Sequence, residues 1–313
     1  MITDFHVVSI PTKTNFRGIN VREAVLFKGS HGWSEFSPFL EYGPDEAATW
    51  LNAALEAAEK PWPKLVREKI PVNATLPNVE TSRVPDLLRE FEGCRTIKIK
   101  VDNFESDVKL VETALDVVPA AKIRLDVNGK WTLDQAVKYL TQYVQHFGSV
   151  FEYVEQPVGS TAELAKLRQR VDVKIAVDES IRKNVKGDME MLRHVADVAI
   201  LKWQPSGGIS AAHELIERIG LPVVISSALD TGVGISHALA LAGSLEELQY
   251  ACGLGTVALL ESDICEPPVV PHKGYMDVSR PMVNHALLER YRASEERYEW
   301  WHNRITEIER VRG

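Results

Sequence analysis

The sequence predicts an α/β protein: a modified TIM-type β/α barrel with a smaller α+β capping domain. Short apolar strands alternate with helical segments from residue 71 onward, an alternation typical of parallel strand pairing. Charged side chains end one strand after another, as they do at the mouth of a β/α barrel. We therefore expect residues 71–275 to form the barrel, and residues 1–70, completed by about 276–313, to form the capping domain.

Length and charge narrow the range of functions. A chain of 313 residues with 45% hydrophobic content can bury a large core and exceeds one ordinary domain. Its net charge of −8, from 44 acidic and 36 basic side chains, leaves no basic stripe for a phosphate backbone. We expect a small-molecule carboxylate substrate and no nucleic-acid partner. The oligomeric state stays open, and a monomer is one possibility.

Cysteine usage and the first residues indicate the compartment. Cys94, Cys252 and Cys265 are widely spaced and form no CxxC pair, so neither a disulfide framework nor a zinc ribbon is expected. The chain begins without a basic segment followed by a long apolar run, and no later segment reaches ~18 uninterrupted apolar residues. We expect a cytoplasmic protein without membrane insertion.

The capping domain is predicted from an antiparallel meander and one helix. Three β-type runs cover residues 5–10, 21–27 and 32–36. The polar segment 11–19 between the first two runs carries Phe16 and Arg17 near its tip, and it is either a mobile lid over a binding site or a long surface hairpin. An alanine-rich helix is expected from Pro44 to about Lys60, because acidic residues follow Pro44 in the first turn.

Eight strands and the helices between them are predicted for the barrel. The strands are expected at residues 72–76, 96–101, 123–128, 151–157, 174–180, 198–202, 222–227 and 248–253. Helices are expected near 85–91, 105–118, 132–145, 161–170, 188–194 and 210–219, and from about 231. Residues 284–310 are predicted to form one charged, aromatic-bearing helix that packs back on the cap.

Three lysines end predicted strands. Lys98 and Lys100 are two residues apart on one strand, so both project from the same face into one cavity. Two neighbouring ammonium groups repel each other, so at least one of the two is expected to have a lowered pKa and to act as a base. Solvated lysines on an exposed edge strand are the alternative. The apolar residues that alternate with them favour the buried strand, and Lys202 ends the sixth strand.

Three acids end consecutive strands. Asp126, Glu155 and Asp178 would repel one another in a shared pocket unless a hard divalent cation neutralised them. Mg²⁺ fits such an all-oxygen set, whereas none of the nine histidines has a zinc-binding spacing. Taken singly, each acid is more often a salt-bridge partner. Their regular progression along the chain favours the metal site.

Small residues lie at the ends of the last two strands. Ser226 and Ser227 can offer hydroxyls, and Gly253 and Gly255 backbone N–H groups, to a second carboxylate of the substrate. The alternative is that these glycines are turn residues. Neither GxG run in the chain has the full dinucleotide-binding fingerprint, so a nucleotide site is not expected.

The ordered set of motifs carries a family resemblance. KxK at 98–100, DxN at 126–128, EQP at 155–157, DES at 178–180 and LK at 201–202 resemble the enolase superfamily, in its muconate-lactonizing subgroup. Residues 32–39 (GWSEFSPF) and the compact length resemble the o-succinylbenzoate synthase family of menaquinone biosynthesis, in its actinobacterial form.

The resemblance implies a role for each site residue. The three acids bind Mg²⁺, Lys100 is the acid/base, and Lys202 faces it across the substrate. Lys98 supports Lys100 electrostatically, and Asn128 lies at the edge of the metal site.

The resemblance also implies a reaction. It is the Mg²⁺-dependent syn dehydration of 2-succinyl-6-hydroxy-2,4-cyclohexadiene-1-carboxylate to o-succinylbenzoate through an enediolate, which is carbon–oxygen lyase chemistry. Racemisation of N-acylamino acids or epimerisation of dipeptides is the alternative, because two opposed lysines suffice for either. A noncatalytic, metal-stabilised binding protein would keep the carboxylates but would not need Lys100 opposite Lys202.

Overall fold

The computed structural model describes residues 3–182, 187 and 189–312, and it begins with an antiparallel sheet. The strands β1 (Thr3–Phe16), β2 (Ile19–Gly29) and β3 (Gly32–Phe36) pair in the order β1-β2-β3. Helix α1 (Pro44–Glu59) buries Trp50 and a row of alanines, and these join the apolar side chains of the sheet in one core. We call β1–β3 and α1 the cap.

The expected polar loop 11–19 is instead part of a long β-hairpin. Strand β1 continues to Phe16, and β2 begins at Ile19, so only Arg17 and Gly18 form the turn. Both turn residues have positive φ, 57° and 81°. A two-residue turn with positive φ at both positions matches the twist of a hairpin, and glycine adopts this conformation at little cost. Most of the segment is therefore strand, in agreement with the hairpin alternative, and its role as a lid stays a prediction.

The parallel strands follow the predicted order. Seven strands form one sheet: β5 (Ala74–Leu76), β6 (Thr96–Lys100), β7 (Lys122–Asp126), β8 (Phe151–Glu155), β9 (Ile175–Val177), β10 (Val198–Leu201) and β11 (Val223–Ile225). The short strand β4 (Lys69–Pro71) precedes them and pairs with β12 (Tyr275–Asp277) outside this sheet.

The eighth position of the barrel is closed by single bridges and not by the strand expected at 248–253. Cys252 pairs with Val72, and Gly253 pairs with Ser226, in each case at one residue only. A Cβ atom at Gly253 would lie 2.6 Å from the Ser226 hydroxyl oxygen, so a larger residue there would require the Ser226 side chain to move. Backbone hydrogen bonds still close the ring: Cys252 N–H donates to Pro71 O at 2.8 Å, and Gly253 N–H donates to Ile225 O at 2.8 Å.

Helices cover the outside of the barrel. They are α2 (Val84–Arg89), α3 (Phe104–Val117), α4 (Leu133–Phe147), α5 (Thr161–Arg168), α8 (Ile209–Ile219) and α9 (Gly232–Ser244). Two short helices directly follow strands at the mouth, α6 (Glu179–Arg182) after β9 and α7 (Trp203–Ser206) after β10. Of the helix expected at 188–194, Asp188 lies outside the described residues, and Glu190–His194 is a 3₁₀ helix.

The C-terminal segment packs against the cap as two helices, α10 (His285–Arg290) and α11 (Glu295–Arg312). The single helix expected at 284–310 is interrupted because the intervening chain bonds to the edge of β1. Ser9 N–H donates to Tyr291 O at 2.7 Å, and Ala293 N–H donates to Val7 O at 2.9 Å. Within the described ranges no helix is long and apolar enough to cross a membrane.

Candidate active site

The parallel strands deliver the predicted charged residues to one end of the barrel. Lys100, Asp126 and Glu155 are the last residues of β6, β7 and β8, and the strand register pairs them as direct neighbours. Asp178 and Lys202 immediately follow β9 and β10. Because parallel strands point the same way, these five side chains meet at the carboxyl end of the sheet.

Each lysine is held by a carboxylate. Lys98 Nζ lies 3.1 Å from Glu155 Oε1 and 3.2 Å from Asp126 Oδ2. Lys100 Nζ lies 2.6 Å from Asp126 Oδ2 and donates to Asn128 Oδ1 at 2.6 Å. On the far side of the ring, Lys202 Nζ lies 2.6 Å from Asp178 Oδ2.

Of the two lysines for which at least one lowered pKa was predicted, Lys98 does not have it. Burial lowers the pKa of the Lys98 ammonium, but the charges of Glu155 and Asp126 outweigh burial and hold that pKa well above its usual range. Burial likewise acts to lower the pKa of Lys202, but the charge of Asp178 outweighs burial, so the pKa of Lys202 is raised above its usual value. The sequence argument counted only repulsion between lysines and missed that each would have an acidic partner.

The three carboxylates differ in their electrostatics. Burial and the neighbouring charge of Asp126 raise the pKa of Glu155 to about 7, despite the opposing effect of Lys98. Burial also acts to raise the pKa of Asp126, but Lys100 and Lys98 outweigh it and lower that pKa. The pKa of Asp178 is lowered as well, because Lys202 outweighs the effect of burial.

The donor set is suited to a hard divalent cation. Among the residues that the structure describes, no three His, Cys, Asp or Glu side chains are gathered into a ready-made metal cluster, because the carboxylates are drawn to their lysines. Yet Asp126 Oδ1 and Glu179 Oε2 are buried without a hydrogen-bond partner in the described part of the chain. Buried carboxylate oxygens without partners are costly, and a hard cation prefers such ligands.

Two adjoining cavities lie above these residues. The inner cavity, of about 40 Å³, is lined by Lys98, Lys100, Lys202, Asp126, Asp178, Asn128, Ser226, Ser227, Gly253, Phe16 and Arg17. The outer cavity, of about 730 Å³, shares Phe16, Arg17, Lys100, Asp126, Asn128 and Glu179 with it. Lys100 and Lys202 stand on opposite walls, because β6 and β10 are four positions apart in a ring of eight.

Two residues of the predicted set do not line the inner cavity. Glu155 lies deeper, 1% exposed, where it receives Lys98. Gly255 faces away: a Cβ at that position would lie 2.8 Å from Pro271 and 3.1 Å from the Phe91 ring. The sequence argument placed Gly255 beside Gly253 because it treated the end of the eighth position as regular.

The inner cavity also has lining residues that sequence reasoning missed. They are Phe39, Thr75, Glu179, Ala228 and Thr256. Glu179 had a signal, since it follows Asp178 in the DES run, and its Oε1 accepts from Asn128 Nδ2 at 3.1 Å. Thr75 had one as well, because it lies in the first barrel strand and pairs in register with Lys98.

The tip of the hairpin covers the mouth of the barrel. The Phe16 ring centre lies 5.8 Å from Lys100 Nζ, and the Arg17 guanidinium lies 4.5 Å from the Phe39 ring centre. Lower on the hairpin, Lys13 forms a 2.6 Å ion pair with Glu90 of the barrel. The hairpin tip therefore lines both cavities, and its lower part is held to the barrel by the Lys13–Glu90 ion pair.

The GWSEF motif builds the joint between cap and barrel. Glu35 is fully buried and accepts the hydroxyl of Thr231 at 2.5 Å and that of Ser37 at 2.6 Å. Ser37 Oγ in turn accepts from Gln204 Nε2 at 3.1 Å, and Gln204 is only two residues after Lys202. Burial and Asp230 raise the pKa of Glu35 to about 7. This network connects β3 to the segments that follow β10 and β11, next to residues that line the inner cavity.

Comparisons with known proteins agree with the fold. A family model described as "Enolase C-terminal domain-like" matches residues 84–281, and one described as "Enolase N-terminal domain-like" matches residues 7–58. A muconate lactonizing enzyme from Pseudomonas fluorescens, complexed with muconolactone, superposes with a TM-score of 0.77 at 19% identity, covering 94% of this chain and 98% of that chain. The barrel and the cap are those of the enolase superfamily.

Two sequence relatives are much closer. The o-succinylbenzoate synthase of Mycolicibacterium smegmatis is 44% identical over 96% of this chain and 93% of its own length. That of Thermobifida fusca is 46% identical over 90% and 89%. The chain belongs to the o-succinylbenzoate synthase family of the enolase superfamily, and it is an enzyme of the carbon–oxygen lyase type.

Proposed function

We propose that the protein dehydrates 2-succinyl-6-hydroxy-2,4-cyclohexadiene-1-carboxylate to o-succinylbenzoate as a step of menaquinone biosynthesis. The family relationship supports the reaction. The observation that carries it is the placement of Lys100 and Lys202 on opposite walls of a cavity that also contains Asp126 and Asp178. A substrate carboxylate in this cavity has a base beside it and positive charge on both sides.

The reaction begins with proton transfer to Lys100. The neutral amine takes the proton from the ring carbon that bears the carboxylate, and the electron pair of the broken C–H bond passes to the carboxylate as an enediolate. Lys100, now an ammonium, gives that proton to the hydroxyl on the neighbouring ring carbon. The C–O bond breaks, water leaves, and the returning electrons complete the aromatic ring. One group suffices, because proton and hydroxyl leave from one face.

The other lysines stabilise charge. Lys202 stays an ammonium on the opposite wall, where it attracts the second negative charge of the enediolate. Lys98 lies between Glu155 and Asp126, so its positive charge reaches the same region without contact with the leaving proton. Its proposed role is to support Lys100 electrostatically.

A divalent cation completes this proposal. Asp126, Glu155 and Asp178 would hold it, with Asn128 at its edge, and Mg²⁺ is the best match to an all-oxygen set. When bound, the cation neutralises charge on the substrate carboxylate, as in enolase-superfamily sites that pair a lysine or histidine base with Mg²⁺.

The remaining residues are proposed to position the ring. Ser226, Ser227 and Gly253 form one wall of the inner cavity. Phe16 and Arg17 form its roof, so the hairpin tip acts as a lid that excludes water from the charged intermediate. Gly255 is proposed to act only through the shape of its loop, since it faces Pro271.

A cytoplasmic location is proposed with this function. Cys94, Cys252 and Cys265 are buried and unpaired, as expected in a reducing compartment.

A substrate panel tests the function. Purified protein with Mg²⁺ is incubated with the cyclohexadiene carboxylate, with N-acylamino acids and with dipeptides, and product formation is compared. Dehydration of the first substrate with kcat/KM well above the others is the expected result. Racemisation is the second candidate, because Lys100 and Lys202 face each other. Faster racemisation of an N-acylamino acid than dehydration would favour it, and absence of any turnover would favour a binding protein.

A further inference from the structure

The two cavities differ in what they can hold. The inner cavity of about 40 Å³ contains the lysines and the acids, and the outer cavity of about 730 Å³ opens from it under the hairpin tip. The proposed substrate is a dianion with one carboxylate on the ring and one at the end of the succinyl arm. The reacting carboxylate belongs in the inner cavity, so the arm extends into the outer one.

The serines are already engaged where they stand. Ser227 Oγ is hydrogen-bonded to Thr256 Oγ1 at 2.5 Å, and Ser226 Oγ donates to Gly253 O at 3.5 Å. Both hydroxyls are buried in the inner cavity wall. Both lie beside the lysines and acids, so we assign them to the reacting end of the substrate, in place of the second carboxylate that the sequence suggested.

Arg17 is an oriented cation in the outer cavity. Its guanidinium lies 4.5 Å from the Phe39 ring centre, and its Nη2 donates to the Tyr42 hydroxyl at 3.4 Å. In the described ranges it makes no ion pair, whereas Lys130 of the same cavity pairs with Asp102 at 3.1 Å. Arg17 therefore presents its charge to the cavity while the aromatic neighbours hold its plane.

Arg182 presents a second guanidinium beside the first. It ends α6, four residues after Asp178, and its side chain is only 12% exposed. Its Nη1 lies 2.7 Å from Glu46 Oε1, and its guanidinium lies 5.4 Å from the Tyr42 ring centre. Tyr42 thus bonds Arg17 through its hydroxyl and contacts Arg182 through its ring, which brings both arginines to one wall.

We propose that Arg17, assisted by Arg182, binds the carboxylate of the succinyl arm in the outer cavity. This specificity site rests on the proposed function, because it takes its ligand from that substrate. A planar guanidinium donates two parallel hydrogen bonds to a carboxylate, and a lysine cannot reproduce that geometry. The hairpin tip therefore recognises the arm at the same time as it covers the reacting ring.

Product binding tests the assignment. Calorimetry with Mg²⁺ compares o-succinylbenzoate with its monoamide, in which only the succinyl carboxylate is replaced by a carboxamide. Hydrogen bonds to charged groups contribute about 1.5–3 kcal/mol, so Arg17→Gln should weaken binding of the diacid roughly 10- to 100-fold. The monoamide should lose less than about threefold, since it lacks the charge that Arg17 recognises. Arg182→Gln should show the same selectivity with a smaller loss.

Matched controls separate this site from general effects. Lys130→Gln removes a cation of the same cavity whose side chain is 63% exposed, against 12% for Arg182, and it should leave the ratio of the two affinities unchanged. Gln at position 17 faces the same positive φ of 57° as arginine, so the turn is not newly strained.

Three results would overturn the proposal. Equal weakening of both ligands in Arg17→Gln would mean that the arginine only orders the hairpin. A diacid-selective loss in Ser227→Ala and not in Arg17→Gln would place the second carboxylate in the inner cavity. If the wild-type enzyme neither dehydrated the diene nor bound o-succinylbenzoate, the proposed function itself would fail, and this site with it. If the wild-type enzyme dehydrated the diene but either of the first two results were found, only the arginine site would be removed and the proposed function would remain.

Discussion

The two ends of the barrel each bury a cation against an acid, but with different consequences. At the amino-terminal end, Arg124 is fully buried, lies 2.5 Å from Glu152, and donates to Asn73 at 3.0 Å and to Ala251 O at 2.7 Å. One charge there meets one acid and neutral acceptors. At the carboxyl end, three lysines face several acids, and the pKa of Glu155 is raised to about 7.

The difference separates a structural ion pair from a reactive site. Arg124 cannot lose its proton, and Tyr153, 4.7 Å below its guanidinium, helps to fix it. At the carboxyl end, by contrast, Asp126 Oδ2 lies within 3.2 Å of both Lys98 and Lys100, so one carboxylate is shared between two ammonium groups. Removing a residue from the first end should therefore harm folding, and removing one from the second should harm the chemistry.

The largest expected effect on this comparison comes from Asp178→Asn. Loss of one proposed ligand should weaken Mg²⁺ binding and stabilisation of the enediolate together, and lower kcat by about 10³-fold or more. Asn keeps an acceptor for the Lys202 ammonium, so the melting temperature should fall less than it would if the partner were removed altogether. Calorimetry with Mg²⁺ and a turnover assay measure both, and unchanged activity at limiting Mg²⁺ would remove Asp178 from the site.

The reverse effect is expected from Arg124→Met. Breaking a buried pair leaves Glu152 without its partner and should cost about 3–5 kcal/mol of unfolding free energy. The kcat of the molecules that stay folded should remain within about threefold, because Arg124 bonds to Glu152, Asn73 and Ala251 and does not line the inner cavity. Urea unfolding followed by fluorescence gives the stability.

Arg168→Met is the control at the same end of the barrel. Its pair with Asp197 is partly exposed, so the loss should stay below about 1 kcal/mol. If both arginine variants were equally stable, Arg124 would not be the structural element described above.

A smaller effect should distinguish two variants of Lys202 at the carboxyl end. Lys202→Arg keeps a positive charge but cannot act as a base at neutral pH, so it should retain about tenfold more dehydration activity than Lys202→Ala. The bulk of arginine in a small cavity lowers both values, so Mg²⁺ binding and melting temperature are measured alongside. Two equally inactive variants with intact folding would mean that a neutral Lys202 takes part in the reaction.

The smallest effect is expected at the hairpin tip. Phe16→Ala should lower kcat/KM by about tenfold and leave stability nearly unchanged, because Phe16 covers Lys100 but only partly packs on the core. Steady-state kinetics and thermal unfolding check it. If this variant kept the kcat/KM of the wild type, the hairpin would be a surface element without a role in catalysis.

Much of the carboxyl end could be predicted from sequence. Strand direction alone brings together the last side chains of successive parallel strands, so Lys100, Asp126 and Glu155 were identifiable without coordinates. The alternation of strands and helices likewise predicted the α/β barrel and the cap, as the fold comparisons confirm.

The misses share a physical cause, since each depends on contacts between distant parts of the chain. The eighth position pairs through single bridges, Cys252 with Val72 and Gly253 with Ser226, which join residues far apart in the chain. The last helix is interrupted by hydrogen bonds to β1, and the pKa of Lys98 is set by acids on two other strands. The local pattern of the sequence contains no information about these long-range contacts.

The central claim is that Lys100 removes the proton and returns it to the leaving hydroxyl. The direct measurement is turnover of the cyclohexadiene carboxylate by Lys100→Ala with saturating Mg²⁺, beside wild type and with o-succinylbenzoate binding as the control for an intact site. General acid–base catalysis contributes about 10²–10⁴-fold per group, and Lys100 has both tasks, so the account predicts a loss of at least about 10⁴-fold with product binding retained. Dehydration within tenfold of wild type would contradict it.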